Sequence, residues 1–311
     1  MNTAPSGKKR IAVIGATGHQ GSAVVHALQA AGQFLVRALT RHPGTYRGQG
    51  DEVVGADLNR PDTLQPAFTG THGIFLVTNF WEQGTDELAQ GTAAVRAAKA
   101  AGVKHFVWST LPDVEAISGG RFHVPHFTGK AKVDRVVTEA GFANHTFVIA
   151  PFFYQNLTDA LAPQQQADGS MGWALPLDPR VRCIHMGDIR ELGDIVAGAF
   201  ALPDQAGHGE YLPLVGDFMG FNEIVGTLNR QGHKFSFHQV PKDGFAAEVA
   251  NTFAYFEAHT YLGSDSSDRI ALANKIAGRQ PTTFATWARV SVPVQVREKQ
   301  GAPSGSEQAS S

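Results

Sequence analysis

The chain has 311 residues, of which 42% are hydrophobic and 17% are charged, with a formal net charge of −2, so we expect a globular protein with one large core or with a domain and a smaller lobe. Lysine and arginine form no extended basic patch, which argues against nucleic acid and anionic membrane surfaces as partners. The single cysteine, Cys183, excludes an intrachain disulfide and a cysteine-based zinc site and fits a cytoplasmic protein, and no apolar run is long enough to cross a bilayer.

The N-terminal half alternates short apolar runs with amphipathic patterns. Strands are predicted at residues 11–14, 34–39, 52–56, 73–78, 104–109 and 146–150. Helices are predicted at residues 23–31, 60–68, 85–101 and 127–140. Strands separated by helices imply right-handed crossovers and a parallel sheet covered on both faces. We therefore predict a doubly wound α/β domain of the Rossmann type.

Beyond Pro151 the alternation weakens, because prolines interrupt any long element. A helix at 188–201 and a strand at 210–215 suggest a return to the main sheet, and helices at 222–232 and 245–262 suggest a smaller C-terminal α/β lobe. The predicted division assigns residues 8–155 and 186–218 to the main domain, 156–185 and 219–293 to the smaller lobe, and 294–311 to a disordered tail.

A glycine pattern stands between the first strand and the first helix. Gly15 permits a tight turn, Gly18 allows a ligand to approach the backbone, and Gly21 allows the helix to pack closely on the sheet. The unpaired amides of the first helical turn suit a pyrophosphate. The alternative is an ordinary glycine-rich turn. We expect a dinucleotide to be bound by Gly15, Thr17, Gly18, His19, Gln20 and Gly21.

The end of the second strand predicts which dinucleotide is bound. An acid that selects the ribose hydroxyl of NAD is missing there, and Thr40 and Arg41 offer a hydroxyl and a guanidinium to a 2′-phosphate. NADP(H) is therefore the predicted cofactor, with a solvated loop arginine as the alternative. Asp57 and Leu58, after the third strand, fall where such folds contact adenine, and Asp57 could equally cap a helix that begins at Pro61.

Together with residues 77–82, 127–130 and 151–156, these features resemble the NmrA-like branch of the atypical short-chain dehydrogenase/reductase superfamily, particularly the proteins related to HSCARG. The resemblance spans about residues 10–293 and implies an NADP(H)-binding Rossmann domain with a cleft against a C-terminal lobe. It implies Arg41 as the 2′-phosphate contact. The remaining expected cofactor contacts are Thr78, Asn79, Lys130, Pro151 and Phe153.

Working short-chain reductases use Tyr-x-x-x-Lys on one helix, in which the tyrosine moves a proton and the lysine holds the ribose. None of the five tyrosines in this chain has a lysine four residues later. His126 stands at the tyrosine position, and Lys130 remains available for the cofactor. His126 is a candidate general acid, but it could also only hydrogen-bond a ligand or only begin a helix.

Aromatic residues near the expected cleft suit an apolar or aromatic ligand, and packing between the lobes is the alternative. The expected substrate contacts are Phe80, Trp81, Tyr154 and Asn156. The loop at 111–125 is a candidate lid, because ligands of doubly wound sheets lie beyond the carboxyl ends of the strands. His123 and His126 lack further ligands for a metal, so no metal site is expected.

Two functions follow as hypotheses. In the first, the chain is an NADP(H)-dependent oxidoreductase that passes hydride between the nicotinamide and a small apolar or aromatic substrate, with His126 and Lys130 as catalytic residues. In the second, it is a non-catalytic sensor whose NADPH or NADP+ occupancy regulates binding to a protein partner. A homodimer is compatible with either function.

Overall fold

The structure is a computed structural model that describes residues 7–263 and 266–293. Its strands are β1 (Lys9–Ile14), β2 (Phe34–Thr40), β3 (Glu52–Gly55), β4 (Gly73–Leu76), β5 (His105–Thr110), β6 (Asn144–Ile149), β7 (Phe152–Phe153), β8 (Gln164–Gln165), β9 (Met171–Leu175), β10 (Ile184–Gly187), β11 (His208–Pro213), β12 (Asp217–Met219) and β13 (Phe235–Gln239). Its helices are α1 (His19–Ala31), α2 (Leu64–Phe68), α3 (Glu87–Ala100), α4 (Val114–Ile117), α5 (Pro125–Glu139), α6 (Leu192–Ala201), α7 (Pro203–Ala206), α8 (Phe221–Arg230), α9 (Ala247–His259), α10 (Ser267–Ala277) and α11 (Phe284–Ser291).

Seven strands form the central sheet in the order β3-β2-β1-β4-β5-β6-β11. Every neighbouring pair in it is parallel. All side chains of β4 and β5 are buried, because helices cover both faces of the sheet. The prediction of a doubly wound parallel sheet is confirmed.

Close helix packing on the sheet depends on glycine at two places. A Cβ on Gly193 of α6 would lie 2.3 Å from the carbonyl oxygen of Ala23 in α1. On the opposite face, a Cβ on Gly91 of α3 would lie 2.7 Å from the methyl groups of Val133 in α5. Glycine therefore lets each pair of neighbouring helices approach closely while both pack on the sheet.

The chain returns to the main sheet as expected: α6 packs on α1, and β11 extends the sheet beside β6. Two three-stranded sheets lie outside it, one with the order β12-β10-β7 and one with the order β13-β9-β8. The sequence patterns do not predict helices α10 and α11 or the short strands of these sheets. We propose that residues 8–155 and 186–218 form the main domain and that 156–185 and 219–293 form the smaller lobe. The predicted tail at 294–311 lies outside the described residues.

No helix within residues 7–263 and 266–293 combines the length and the apolar character that a bilayer crossing requires.

A buried carboxyl group joins α5 to the last strand of the sheet. Asp134 is 7% exposed, and its Oδ2 accepts a hydrogen bond of 3.0 Å from the Tyr211 hydroxyl. Its Oδ1 has no hydrogen-bond partner in the described structure. Burial raises the pKa of Asp134 to about 7, and the hydrogen bond from Tyr211 opposes that rise.

We expect Asp134→Asn to stabilise the protein at alkaline pH. Because the folded-state pKa is raised, the contribution of Asp134 to the free energy of unfolding is present below pH ~4 and is lost as the pH rises through about 7. The free energy of unfolding of the variant relative to the wild type should therefore be about 1–3 kcal/mol larger at pH ~8 than at pH ~5. Urea unfolding at the two pH values measures this difference. Asp62→Asn, at an exposed carboxylate, is the control, and an equal gain at both pH values would contradict the prediction.

Candidate active site

A cavity of about 810 Å³ opens at the carboxyl ends of the parallel strands. Residues that follow β1, β2, β3 and β4 line one side of it, and residues of α9 line another. Ligands of doubly wound sheets bind at this edge, and the volume falls in the range of small-molecule and cofactor sites.

The glycine turn forms part of the lining of this cavity. Gly15 adopts a left-handed conformation with φ +73°, and the Gly18 amide donates to the Gly15 carbonyl at 2.8 Å. A Cβ on Gly21 would lie 2.0 Å from the Gly15 carbonyl oxygen, so glycine is required for the close contact between strand and helix. The first turn of α1 has no side-chain cap and no acidic residue, and its residues His19, Gln20 and Gly21 line the cavity. The free amides of α1 therefore face the cavity as an anion site.

The cavity brings together every expected cofactor contact and most expected substrate contacts. These are Gly15, Thr17, Gly18, His19, Gln20, Gly21, Thr40, Arg41, Asp57, Leu58, Thr78, Asn79, Lys130, Pro151 and Phe153, with Phe80, Trp81 and Asn156 and the catalytic candidate His126.

The Asp57 carboxylate accepts from the backbone amide of Asn59 at 2.9 Å, which forms a turn rather than a helix cap. The short 3-10 helix that follows begins after Arg60 and has no side-chain cap. The alternative role of Asp57 as a helix cap is therefore wrong, and its contact with adenine stays a prediction.

Lys130 lines the cavity, but its ammonium group is fully engaged. It donates to the Thr78 carbonyl at 2.8 Å, to the Thr78 hydroxyl at 2.9 Å and to the Glu87 carboxylate at 2.6 Å. All three residues are buried, and burial lowers the pKa of Lys130 while Glu87 opposes that shift. An ammonium has three protons to donate. The expectation that Lys130 stays available for the ribose is therefore wrong in this structure, because the lysine instead fixes α5 to α3 and to the end of β4.

His126 is held by a carboxylate from the C-terminal part of the chain. Its Nδ1 lies 2.6 Å from Glu248 Oε1, and the same oxygen accepts from the His126 amide at 3.2 Å. A carboxylate only accepts, so Nδ1 carries the proton and Nε2 is left as the titrating nitrogen. Burial lowers the pKa of His126, and Glu248 partly offsets that effect.

Aromatic and aliphatic side chains form the wall around His126. Trp81 and Phe80 contact the imidazole with ring centroids 5.2 and 5.8 Å away, and Trp81 is 70% exposed. Four residues of α9 also line the cavity, and no motif in the sequence predicts this role for them: Val249, Thr252, Phe253 and Phe256.

Tyr154 does not belong to this wall. Its side chain is fully buried, its hydroxyl donates to the Thr282 carbonyl at 3.1 Å, and its ring packs against Phe284 and Trp287. The expected substrate contact is wrong because α11, which the sequence patterns do not predict, covers this ring.

Arg41 extends from the end of β2 and forms an ion pair with Glu82, which follows β4. Both residues line the cavity and are partly exposed. Glu82, Glu87 and Glu248 are acidic residues near the site for which no motif predicts a role.

Comparison with known proteins places the chain in a family. A family model described as the NmrA-like family matches residues 7–288. An NmrA-like family domain-containing protein of Dictyostelium discoideum is 30% identical over 300 residues, which cover 90% of this chain and 97% of the relative. The NmrA-like family domain-containing oxidoreductase himF of Aspergillus japonicus is 30% identical over 239 residues, which cover 70% of this chain and 71% of the relative.

The fold has solved counterparts as well. The crystal structure of NmrA, a negative transcriptional regulator, in complex with NADP superposes with a TM-score of 0.75 at 23% identity and covers 91% of this chain and 95% of that one. The narrower resemblance to the proteins related to HSCARG stays a prediction. The family model, the two relatives and the shared fold agree that the chain belongs to the NmrA-like family.

Proposed function

We propose that this protein is an NADP(H)-dependent oxidoreductase that acts on a small apolar or aromatic substrate. The observation that carries the proposal is the position of His126: a carboxylate-bound imidazole lines the same cavity as the uncapped amides of α1. One cavity thus offers an anion site and a group that can exchange a proton.

The residues present fit a dinucleotide that carries a 2′-phosphate. The uncapped first turn of α1 suits a pyrophosphate, and Gly18, which lines the cavity and has no Cβ, lets a ligand approach the backbone closely. Arg41 supplies a guanidinium beyond β2, where a 2′-phosphate is expected. The structure of NmrA with bound NADP supports NADP(H) as the cofactor of this chain. The oxidoreductase himF supports oxidation and reduction as its reaction class.

NADP(H), when bound, supplies or accepts a hydride at its nicotinamide ring. The role of this chain is to position the substrate and to move the matching proton. His126 gives that proton from Nε2 during reduction or accepts it there during oxidation, while Glu248 holds Nδ1–H and so fixes the orientation of the ring.

The lining of the cavity indicates the kind of substrate. The rings of Phe80 and Trp81 contact His126, and Phe253 and Phe256 add further aromatic surface to the cavity. The lysine and arginine side chains among the described lining residues are Arg41 and Lys130, and both are paired with carboxylates. An anionic substrate near His126 would therefore lose its hydration without gaining a free cationic partner there, which favours an apolar or aromatic substrate.

Glu248→Gln should shift the pH profile of reduction toward lower pH. A general acid must be protonated, so kcat/KM falls as the pH rises through the pKa of His126, which burial sets below its ordinary value of ~6.5. Removing the carboxylate lowers that pKa further, and we expect the fall to begin about 0.5–1 pH unit lower.

Glu257→Gln on the same helix is the matched control, because Glu257 accepts from the Asp178 amide and has no contact with His126. An unchanged profile in Glu248→Gln would rule out Glu248 as a positioning residue.

The proposed function is tested by calorimetric titration with NADP+ and NADPH, followed by NADPH consumption with carbonyl, enone, imine and quinone substrates. Binding together with consumption of NADPH by at least one class supports the proposal. Binding without consumption across these classes contradicts catalysis and favours the sensor, whose affinity for a protein partner would then depend on cofactor occupancy.

A further inference from the structure

We propose that Glu82 is a specificity-determining residue. It binds Arg41 in the ligand-free protein and must release it when a dinucleotide with a 2′-phosphate binds, so it lowers the affinity for NADP(H) but not for NAD(H). Arg41 and Glu82 are 41 residues apart in sequence, yet the guanidinium donates to the carboxylate. This role of Glu82 rests on the proposed binding of NADP(H).

The ion pair crosses the phosphate turn. Arg41 follows β2 and Glu82 lies beyond β4, and in the sheet β1 lies between these two strands. The carboxyl end of β1 leads into the glycine turn that begins at Gly15. A contact between Arg41 and Glu82 therefore passes over the end of β1, at the edge of the cavity where the adenosine part of a dinucleotide is expected.

Arg41 is a positively charged side chain of the cavity that a ligand can bind. The ammonium of Lys130, the other lysine or arginine among the described lining residues, is buried and saturated by Thr78 and Glu87. Arg41 instead keeps 52% of its side chain exposed, and Glu82 keeps 36%. An exposed ion pair of this kind is weak, so a doubly charged phosphate can replace the carboxylate.

The two dinucleotides differ at this pair. A 2′-phosphate competes with Glu82 for the guanidinium, so the contact between Arg41 and Glu82 must break before the phosphate is bound. A ribose with a free 2′-hydroxyl brings no charge and leaves the pair intact. Glu82 therefore weakens binding of NADP(H) and leaves binding of NAD(H) unaffected.

Glu82 is also joined to the loop that contacts His126. The Glu82 amide donates to the Asn79 carbonyl at 3.2 Å, and the preceding residue, Trp81, packs on the His126 ring. Of the four tryptophans in the chain, Trp108, Trp173 and Trp287 are buried and Trp81 is exposed, so Trp81 can report on displacement of Glu82.

The test compares Glu82→Gln with the wild type by calorimetry with NADP+ and with NAD+. We expect Glu82→Gln to bind NADP+ about 3- to 10-fold more tightly and NAD+ with unchanged affinity. Arg41→Gln should weaken NADP+ binding, and adding Glu82→Gln to it should give no further gain, because Glu82 acts through Arg41. Glu139→Gln, which breaks the exposed pair with Arg135 on α5, is the matched control and should change neither affinity.

A second readout uses adenosine 2′,5′-bisphosphate and adenosine 5′-monophosphate, which differ only in the 2′-phosphate. The bisphosphate should change the emission of Trp81 and the monophosphate should not, and Trp81→Phe should abolish the difference. Unchanged or weaker NADP+ binding in Glu82→Gln, or a gain that persists without Arg41, overturns the inference while leaving the proposed function intact. If the folded wild type binds neither dinucleotide, both fail.

Discussion

Replacing Gly21 by alanine is expected to weaken NADP+ binding by ~10- to 100-fold and to lower the free energy of unfolding by about 1–3 kcal/mol. The added Cβ would lie 2.0 Å from the Gly15 carbonyl oxygen and 2.9 Å from the Ala16 amide nitrogen, so the backbone of the turn must move. That movement displaces the amides proposed to hold the pyrophosphate. Calorimetry measures the affinity, and urea unfolding measures the stability.

Substitutions at two other glycines distinguish an effect on cofactor affinity from an effect on stability. Gly44→Ala should change neither quantity, because its Cβ meets nothing within 4 Å. Gly18→Ala should leave stability nearly unchanged, since its Cβ would lie 3.4 Å from the nearest atom, but should weaken binding because a methyl group then stands at the phosphate site. Wild-type affinity in Gly21→Ala would contradict the proposed position of the dinucleotide.

Replacing His126 by alanine is expected to lower kcat for reduction by ~100- to 10,000-fold, the usual contribution of a positioned general acid. Affinity for NADP+ should stay within about 2-fold, because the proposed role concerns proton transfer and not cofactor binding. Steady-state kinetics and calorimetry measure the two quantities. His123→Ala, at a side chain that is 70% exposed, is the control, and full activity in His126→Ala would exclude the proposed mechanism.

Features that depend on neighbours in sequence could be predicted. The glycine turn, the parallel sheet and the arginine after β2 each follow from a local pattern of apolar runs, glycines and charges. The geometry at Gly15 and Gly21 agrees with the roles predicted for these glycines. Gly15 has a positive φ, and at Gly21 there is no room for a Cβ.

Features that depend on distant partners could not be predicted. Glu248 is 122 residues from His126, and Glu87 is 43 residues from Lys130, so no spacing pattern links either pair. Sequence reasoning therefore assigns the lysine to the ribose, although a buried carboxylate already neutralises it. It misplaces Tyr154 for the same reason, because the helix that covers this ring lies far along the chain.

The segment at 111–125, which the sequence suggests as a lid, packs against the core of the protein. This segment contains the short helix α4, and Val114, Phe122 and Val124 bury their side chains in the core. Of the segment, Leu111 and no other residue lies among the described lining of the cavity. The position of the segment beyond a strand end suggests a lid, but its buried apolar side chains attach it to the core.

The neutralised lysine also bears on how the protein can distinguish the two redox states of its cofactor. The oxidised nicotinamide ring carries a positive charge and the reduced ring does not. An unpaired ammonium nearby would repel the oxidised form, whereas Lys130 with its charge matched by Glu87 exerts little net field on either. Lys130 therefore contributes no electrostatic preference for NADPH over NADP+, and any such preference must come from other groups of the cavity.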